Sequence, residues 1–519
     1  MQSKHVVIVG AGPGGLCAAM LLATRGLRVT VLEKRAQVGG RSGGLSLGPY
    51  HFDSGSTMLM MRFIADEMFA LAGQKLSERV ELIEIDPMYR LDFNGRQLDM
   101  YAELEPMRRE LERFAPGSSA GLARFLGEEH TRLEHLYPLL QRPWSQLSNL
   151  ASLDVFKALP DVGLFRSLYE TASSYFEDEA LRLAFSFQAA YLGMSPWDCP
   201  GGFCMVPYVE HAWGVQHIKG GIQQLCREMA SVAREAGASL YTQAEVVELI
   251  SSGQTCTQVR LADGRKLDAD YVVVDADATR ALLDLLKEAP SARFTKDGIA
   301  HQLQSCSTFM IYLGLDELLP LAHNTFFFAD DYRAEMRNVF EAGTLDDDLS
   351  LYVCNPSRLD RTLAPVNHSA LYLLALVPNT HAKLNWAVEQ APMQRRMFEL
   401  FKRRAGYDLE PHIQAKAVRT PLDWQRDFNV SHGAVFGPAH SIDQLLAFRL
   451  PNRLPWPSNV LLTGAGTNPG SGLPTILESG RIAAREIASE CGLTFPPTSG
   501  LPEPVTWNRA RLAQVAGPA

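Results

Sequence analysis

Residues 5–33, HVVIVGAGPGGLCAAMLLATRGLRVTVLE, contain the pattern that decides the fold. The β-branched run 5–9 predicts a fully buried parallel strand, which a glycine-rich turn and a helix over 15–25 follow. A second strand is predicted over 28–33. A strand, a glycine turn, a helix and a strand within about thirty residues make a βαβ unit with a right-handed crossover. The sequence therefore predicts an α/β fold built on a Rossmann-like domain.

The glycines of this turn fit a dinucleotide pyrophosphate. Gly10 permits the tight turn, Gly12 lets the backbone approach the pyrophosphate, and Gly15 lets helix and strand pack closely. Glu33 follows about 20 residues later, placed to accept hydrogen bonds from ribose hydroxyls and to oppose a 2′-phosphate. A glycine turn with an incidental acidic residue is the alternative, which the complete strand–turn–helix context disfavours.

Two further segments indicate which dinucleotide is bound. The stretch 33–41, EKRAQVGGR, places Gly40 and Arg41 where open backbone and a guanidinium can meet the same diphosphate, although a solvated loop arginine is the alternative. Near the other end, the buried run VLLT (460–463) leads into GAGTNPGSGLP (464–474) and a helix-like segment. A strand, glycines and a helix N-terminus again form a dinucleotide cradle. The two glycine-rich segments, one near each end of the chain, together predict an FAD-dependent oxidoreductase.

The remaining chain suggests a second domain. Residues 101–211 have leucines, charges and aromatics at helical spacing, and residues 305–377 alternate strand-like runs with turns. We expect a discontinuous FAD-binding domain and a substrate domain of mixed sheet and helices. The predicted FAD-binding segments are 1–100, 212–290 and 431–492; the substrate or cap segments are 101–211 and 291–430. Residues 493–519, rich in Pro, Gly and Ser, are expected to be a loosely held tail.

Composition limits the partners. The chain has 519 residues and a formal net charge of −9, which disfavours nucleic acid. Its 8 cysteines form no Cys-x-x-Cys pair and suggest neither a zinc site nor a disulfide framework, so no metal is expected. No apolar run approaches the ~20 residues needed to span a bilayer. We expect a cytoplasmic protein.

With these motifs assembled, the chain resembles the phytoene desaturase-type carotenoid desaturase family of bacteria and fungi. The resemblance runs nearly end to end and is most specific in residues 464–474. Further matching motifs are FDSGST (52–57), GVQHIKGG (214–221), HGAVFG (432–437) and FRLPNR (448–453).

The resemblance implies fold, cofactor, activity and location. Members hold FAD non-covalently, remove hydrogen from long apolar polyenes and associate peripherally with membranes, here at the inner face of the plasma membrane. A hydrophobic small-molecule substrate is therefore expected. The flavin contacts implied for this chain are Gly10, Gly12, Gly15, Glu33, Gly40, Arg41, Gly466 and Leu473, with a backbone contact to adenine near Val247.

Catalysis would need a group that accepts a proton or polarises the flavin ring. The candidates are Asp53, His217 and Lys219. Asp53 can equally cap its glycine-flanked loop, His217 can be a packed histidine, and Lys219 can contact backbone or phosphate. Our hypothesis places His217 at the substrate face of the flavin. Aromatic runs such as 326–328 can line an apolar tunnel or simply form core.

The predicted function is an FAD-dependent dehydrogenase, a desaturase that introduces double bonds into a polyene such as a carotenoid by hydride transfer to flavin. A flavin-dependent oxidase, saturase or isomerase acting on another hydrophobic metabolite is the alternative within the same fold. A carrier that uses FAD structurally is the alternative from another class. The chain departs from the family pattern at Ser56, His217, Asn468 and Thr475, so the substrate stays open.

Overall fold

A computed structural model describes residues 4–145, 151–163, 165–508 and 512. The strands, numbered in chain order, are β1 (His5–Val9), β2 (Arg28–Leu32), β3 (Gly44–Leu47), β4 (Tyr50–Asp53), β5 (Leu82–Glu84), β6 (Tyr89–Phe93), β7 (Arg96–Met100), β8 (Gln216–Ile218), β9 (Ser239–Tyr241), β10 (Val246–Ser252), β11 (Thr255–Leu261), β12 (Lys266–Asp268), β13 (Tyr271–Val274), β14 (Ser307–Leu315), β15 (Asn324–Phe327), β16 (Leu351–Cys354), β17 (Ser369–Val377), β18 (Ile413–Arg419) and β19 (Val460–Leu462).

The α-helices are α1 (Pro13–Ala23), α2 (Arg62–Leu71), α3 (Leu76–Arg79), α4 (Leu104–Phe114), α5 (Ser119–Leu140), α6 (Leu153–Ala158), α7 (Leu168–Ser173), α8 (Glu179–Ala184), α9 (Met205–Trp213), α10 (Gln223–Glu235), α11 (Ala278–Asp284), α12 (Lys296–Ala300), α13 (Tyr332–Arg337), α14 (Trp386–Ala405), α15 (Pro421–Phe428) and α16 (Leu473–Glu490).

A 5-stranded parallel sheet, in the order β19-β13-β1-β2-β9, is the scaffold of the dinucleotide site. Every residue of β1 is buried, as expected for a strand covered on both faces. Each of the three segments predicted for the FAD-binding domain contributes strands to this sheet. The α/β fold class with a discontinuous Rossmann-like domain is confirmed.

Helix α1 lies between α10 and α16, and small residues allow these close approaches. Gly480 of α16 faces Gly14 of α1, where a methyl added to Gly480 would lie 2.4 Å from the Gly14 carbonyl oxygen. The two glycine-rich ends of the chain are therefore held side by side at the carboxyl edge of the sheet. In an open α/β sheet this edge is where ligands bind.

The second large sheet has 7 strands, in the order β18-β14-β17-β16-β15-β6-β7. Two of its interior strands, β14 and β17, are almost wholly buried. The β6–β7 hairpin (89–100) pairs in parallel with β15 of this sheet. The boundary predicted at residue 100 therefore lies too late, because strand pairing across more than 200 residues cannot be read from local pattern. The other domain boundaries stay a prediction.

Helices α4 to α9 form the helical region predicted over 101–211. The end of the chain lies against it: the Val505 N–H donates to the Ala212 carbonyl (2.9 Å), and Trp507 is 4 % exposed beside His130 and Tyr208. The expectation of a loosely held tail is wrong for this part, because a buried tryptophan anchors it. Residues 509–511 and 513–519 of the predicted tail lie outside the described residues.

Candidate functional site

A cavity of ≈ 300 Å³ lies at the carboxyl edge of the parallel sheet. Its wall comes from both chain ends and from the middle, since segments next to β1, β2, β10, β13 and β19 all contribute to it. Among the residues that line it are six of those predicted to bind FAD: Gly10, Gly12, Glu33, Gly40, Arg41 and Val247. The fold thus brings together segments that are more than 400 residues apart.

The glycine turn between β1 and α1 has the conformation that its sequence predicts. Gly10 has φ +99°, and a methyl added there would lie 2.2 Å from the Asp275 carbonyl oxygen. A methyl on Gly15 would lie 2.7 Å from the Gly10 carbonyl oxygen, so Gly15 serves the close packing of helix on turn rather than the cavity wall. No side chain caps the first turn of α1. Its N–H groups face the region where a pyrophosphate is expected.

Glu33 is buried at the end of β2 and its carboxylate is fixed by backbone. Oε2 accepts from the Ala11 N–H and Oε1 from the Arg35 N–H, both at 2.8 Å. The carboxylate keeps further lone pairs for ribose hydroxyls, because each oxygen accepts more than one hydrogen bond. This arrangement fits the adenosine half of a dinucleotide.

Asp275 is a wall residue that the sequence reasoning missed. It follows β13, it is half-buried, and its Oδ1 accepts from the Thr463 hydroxyl at 3.1 Å. Oδ2 has no hydrogen-bond partner among the described residues. Burial raises the pKa of the Asp275 carboxyl to about 6. An acidic residue directly after the buried run YVVV was the available signal.

Arg449 organises the C-terminal glycine loop from behind. The side chain is 1 % exposed, and burial lowers its pKa to about 10. All of its hydrogen bonds go to backbone carbonyls, including those of Ala465 (2.6 Å) and Thr467 (3.1 Å). The others go to Pro438, Ala439 and Gln444. A buried cation thereby satisfies carbonyls of the loop 464–474 that no regular element pairs.

A second cavity, of ≈ 250 Å³, adjoins the first and is mostly apolar. Its wall includes four residues that also line the first cavity: Arg41, Ser42, Ala465 and Ile476. Its aromatic residues are Tyr191, Phe326, Tyr332, Tyr352, Tyr372, Trp424 and Phe436. A ligand that extends along the first cavity therefore reaches the wall of the second.

The remaining predicted FAD residues lie in different places. Leu473 lines the second cavity. Gly466 is on neither wall, because it packs against α11, where an added methyl would lie 2.5 Å from the Ala278 Cβ. Arg41, shared by both cavities, donates to the Val435 carbonyl. Burial lowers the pKa of Arg41, and Asp277 and Asp275 oppose that shift.

None of the three predicted catalytic residues lies on either wall. Lys219 is on the surface, paired with Glu81 at 2.7 Å, and its side chain is 43 % exposed. Asp53 ends β4, buried next to Gly221, and burial raises the pKa of its carboxyl to about 7. His217 likewise lines neither cavity, and its place at the substrate face of the flavin stays a prediction. Polar residue type marked these positions, but tertiary packing directs them elsewhere.

His217 is instead part of a buried hydrogen-bonded pair. Its Nε2 lies 3.0 Å from Asp360 Oδ2, and both side chains are fully buried. The Gly220 N–H and the Thr362 N–H and hydroxyl also donate to Asp360, and these bonds hold the pKa of Asp360 far below its usual range. The pair ties β8 to the loop before β17. This is a structural role.

An acidic residue that does lie on the second wall is Glu335, which the sequence reasoning did not single out. It is 1 % exposed and accepts from the Ser350 N–H (2.8 Å) and hydroxyl (2.5 Å). Burial raises the pKa of the Glu335 carboxyl to about 7, and Arg404 opposes the rise. A single acidic residue in the run YRAEMR did not indicate a site in the sequence. The residues that surround Glu335 come from α14 and from the start of β16, which are distant in sequence.

Two further properties concern partners. Across the described ranges, no group of three or more His, Cys, Asp or Glu side chains is arranged to hold a metal ion. Within the same ranges, no helix combines the length and the apolar character that crossing a bilayer requires.

Comparison with known families agrees with this geometry. Residues 13–488 match the family described as flavin-containing amine oxidoreductase, so the chain belongs to this family of flavin-dependent oxidoreductases. The glycine-lined cavity and the fixed Glu33 carboxylate fit a bound flavin dinucleotide. The cofactor is FAD.

Characterised relatives narrow the class to carotenoid desaturases. A 4,4′-diapophytoene desaturase of Methylomonas is 40 % identical over 495 residues, covering 95 % of this chain and 97 % of the relative. An all-trans-ζ-carotene desaturase of Myxococcus xanthus is 33 % identical, covering 94 % of each chain. The predicted family resemblance is confirmed.

Solved structures confirm the fold. A putrescine oxidase bound to putrescine superposes with a TM-score of 0.61 at 15 % identity, covering 94 % of this chain and 99 % of the oxidase. An oxidoreductase from Methanosarcina mazei gives the same TM-score at 15 % identity, covering 94 % and 100 %.

Proposed function

We propose that this chain is an FAD-dependent desaturase that introduces double bonds into a long apolar polyene of the carotenoid class. The observation that carries the proposal is the common wall of the two cavities, formed by Arg41, Ser42, Ala465 and Ile476. It joins a dinucleotide cradle directly to an aromatic cavity. The desaturase relatives at 33 % and 40 % identity support the same reaction.

We propose that the first cavity holds the cofactor through the residues predicted from the sequence. Backbone at Gly10, Gly12 and Gly40 would face the diphosphate, Glu33 the ribose and the backbone at Val247 the adenine. Bound FAD would supply the acceptor for both hydrogens removed per double bond, one as a hydride and one as a proton. Asp275 and Arg41 would set the charge around the diphosphate. The Arg41 guanidinium would attract the diphosphate anion, and the anion would disfavour the ionised form of the Asp275 carboxyl.

The chain's own contribution to catalysis is alignment and exclusion of water. Many side chains on the second wall are apolar, and the Tyr352 hydroxyl there is already bonded, because it donates to Asn324 Oδ1 at 2.7 Å. Methionines such as Met58 and Met310 adapt to an elongated ligand. This apolar wall holds a C–H bond beside the common wall and keeps water from the reacting carbons.

The test is an anaerobic spectrum of the FAD-loaded protein after addition of 4,4′-diapophytoene, phytoene or ζ-carotene. We expect bleaching of the flavin band at about 450 nm together with a longer-conjugated product. A fully saturated hydrocarbon of the same length is the control and should leave the band unchanged. FAD-loaded protein that no polyene bleaches would overturn the desaturase proposal and favour the oxidase, isomerase or carrier alternatives.

We also propose that the protein docks on a membrane surface through an apolar patch at α6. Leu153 is 79 % exposed, Phe156 75 %, Leu159 47 % and Phe165 95 %, while Val155 on the opposite face of α6 is buried. Exposed Lys157 and Arg166 lie among them. Large apolar side chains with basic neighbours insert into a headgroup layer, which also brings an apolar substrate within reach.

Flotation with vesicles of phosphatidylcholine and phosphatidylglycerol tests this patch. Changing Phe156 and Phe165 together to Ser should lower the vesicle-bound fraction, with the partition coefficient falling about tenfold. Val366→Ser with Val388→Ser is the matched control, since these exposed valines lie elsewhere. Equal flotation of both double variants would contradict the assignment of the patch.

A further inference from the structure

One polar section of the second cavity's wall is formed by Tyr332, Glu335 and Ser350. Tyr332 and Glu335 are three residues apart on α13, so their side chains share one face of the helix. Ser350 directly precedes β16 and fixes Glu335 through its N–H and hydroxyl. This section is built and buried, yet the proposed desaturation does not use it.

The Tyr332 hydroxyl distinguishes this section. The residue is 3 % exposed, its ring is held edge-on by Phe328 at 5.1 Å, and its hydroxyl has no hydrogen-bond partner among the described residues. By contrast, the Tyr352 hydroxyl on the same wall is bonded to Asn324. Buried hydroxyls are normally paired, so an unpaired one at a cavity indicates a ligand atom.

Glu335 supplies the complementary group. Each of its carboxyl oxygens accepts one hydrogen bond from Ser350, and each retains a second lone pair. The Ser350 hydroxyl is fully engaged, because its oxygen accepts from the Ala329 N–H at 2.9 Å. The section therefore offers one free donor, on Tyr332, and one free acceptor, on Glu335.

We propose that this section is a subsite for a hydroxyl group on the otherwise apolar polyene. A hydroxyl accepts from the Tyr332 O–H and donates to a Glu335 oxygen, a pairing that neither a hydrocarbon nor a carboxylate can complete. The subsite thereby favours polyenes that carry an alcohol over the corresponding hydrocarbons. This inference rests on the proposed function for the identity of the ligand's apolar part.

The test compares two ligands on FAD-loaded protein: an acyclic C30 polyene and the same polyene with one terminal hydroxyl. Dissociation constants come from quenching of flavin fluorescence. We expect the alcohol to bind about tenfold more tightly than the hydrocarbon. In Tyr332→Phe the ratio should fall to about one, without a lower melting temperature, since the hydroxyl has no partner to lose.

Tyr352→Phe is the matched control, because it removes a hydroxyl from the same wall that is already bonded. It should change the affinities for both ligands alike and keep their ratio. A wild-type ratio near one, or a ratio that survives in Tyr332→Phe, would overturn the subsite. Flavin bleaching by the hydrocarbon is recorded on the same samples. An absence of bleaching would count against the desaturase proposal, whereas the ratio of affinities tests the subsite alone.

Discussion

At the scale of single residues, the site is decided by which polar groups the backbone fixes and which it leaves free. The Glu33 carboxylate is held by two backbone N–H groups and so has one orientation toward the first cavity. His217 is equally polar, but its partner Asp360 turns it into the interior. Residue type alone does not separate these two cases, whereas their hydrogen-bond partners do.

Glu33→Ala should weaken FAD binding about 10- to 100-fold. The change removes the acceptor for ribose hydroxyls and leaves the buried N–H of Ala11 unpaired, a combined loss of about 1.4–2.8 kcal/mol. Titration of apoprotein with FAD, followed by fluorescence quenching, measures the effect. Glu105→Ala, at an exposed position of α4, is the control. An FAD affinity within twofold of wild type would exclude Glu33 from the binding site.

Glu210 gives a prediction about pH. It is fully buried and accepts from the Tyr89 hydroxyl at 2.7 Å, and burial raises its pKa from 4.5 to about 7. A raised pKa means that the folded state holds the proton more tightly. The resulting stability is complete below about pH 4.5 and is lost as the pH rises through about 7.

Glu210→Gln, which cannot ionise, should therefore gain stability relative to wild type between pH 5 and pH 8.5. The gain has an upper bound of about 3 kcal/mol. Urea unfolding at several pH values measures it, with Glu105→Gln as the exposed control. A difference in unfolding free energy that does not change with pH would show that Glu210 titrates near its ordinary pKa.

At the scale of elements, the packing of α1 against α16 brings the two glycine-rich motifs to one place. The contact is close because Gly14 and Gly480 face each other without side chains. Strand β13 lies beside β1 in the sheet and delivers Asp275 under the glycine turn. These contacts set the position of both loops that line the first cavity.

Gly480→Ala should push α16 from α1, since the new methyl would lie 2.4 Å from the Gly14 carbonyl oxygen and 2.9 Å from the Cys17 Cβ. We expect a loss of about 1–3 kcal/mol in unfolding free energy and weaker FAD binding. Gly127→Ala is the control, because it lies in α5 with no atom near its added methyl. That change should be neutral or stabilise by up to about 1 kcal/mol. Equal behaviour of the two variants would contradict the tight helix contact.

At the scale of the whole molecule, segments from both ends of the chain close around one pair of cavities. Arg41 and Ser42 come from the N-terminal part, and Ala465 and Ile476 from the C-terminal part. The segment 503–507 then lies against the helical region next to α5 and α9. The segment that follows the last FAD-binding element in sequence is thus anchored on the helical region.

Trp507→Ala should destabilise this fastening. Trp507 is 4 % exposed and its ring centroid lies 5.5 Å from that of His130, so truncation leaves a large cavity that costs about 3–5 kcal/mol. We expect a lower melting temperature and faster proteolysis near the C-terminus. Val505→Ala, at a 72 % exposed position, is the control. Unchanged proteolysis in Trp507→Ala would mean that the segment is not anchored there.

Local sequence was enough to predict the dinucleotide fold, and six of the residues it singled out line the first cavity. The βαβ unit is local, its glycines have fixed backbone tasks, and Glu33 follows at a set distance along the second strand. The loop 464–474 could be assigned for the same reason, as a second strand–glycine–helix segment. These features depend on neighbours in sequence, and so they can be read without the tertiary structure.

Which polar side chains face the cavities was settled by long-range packing. Asp53, His217 and Lys219 are turned away, while Asp275, Tyr332 and Glu335 are turned toward them. Likewise, β6 and β7 joined the 7-stranded sheet and Trp507 anchored the tail. The position of each of these residues depends on partners that are distant in sequence, or on which face of its helix or strand is covered by another element. Such contacts follow from packing of the complete chain, which no local pattern encodes.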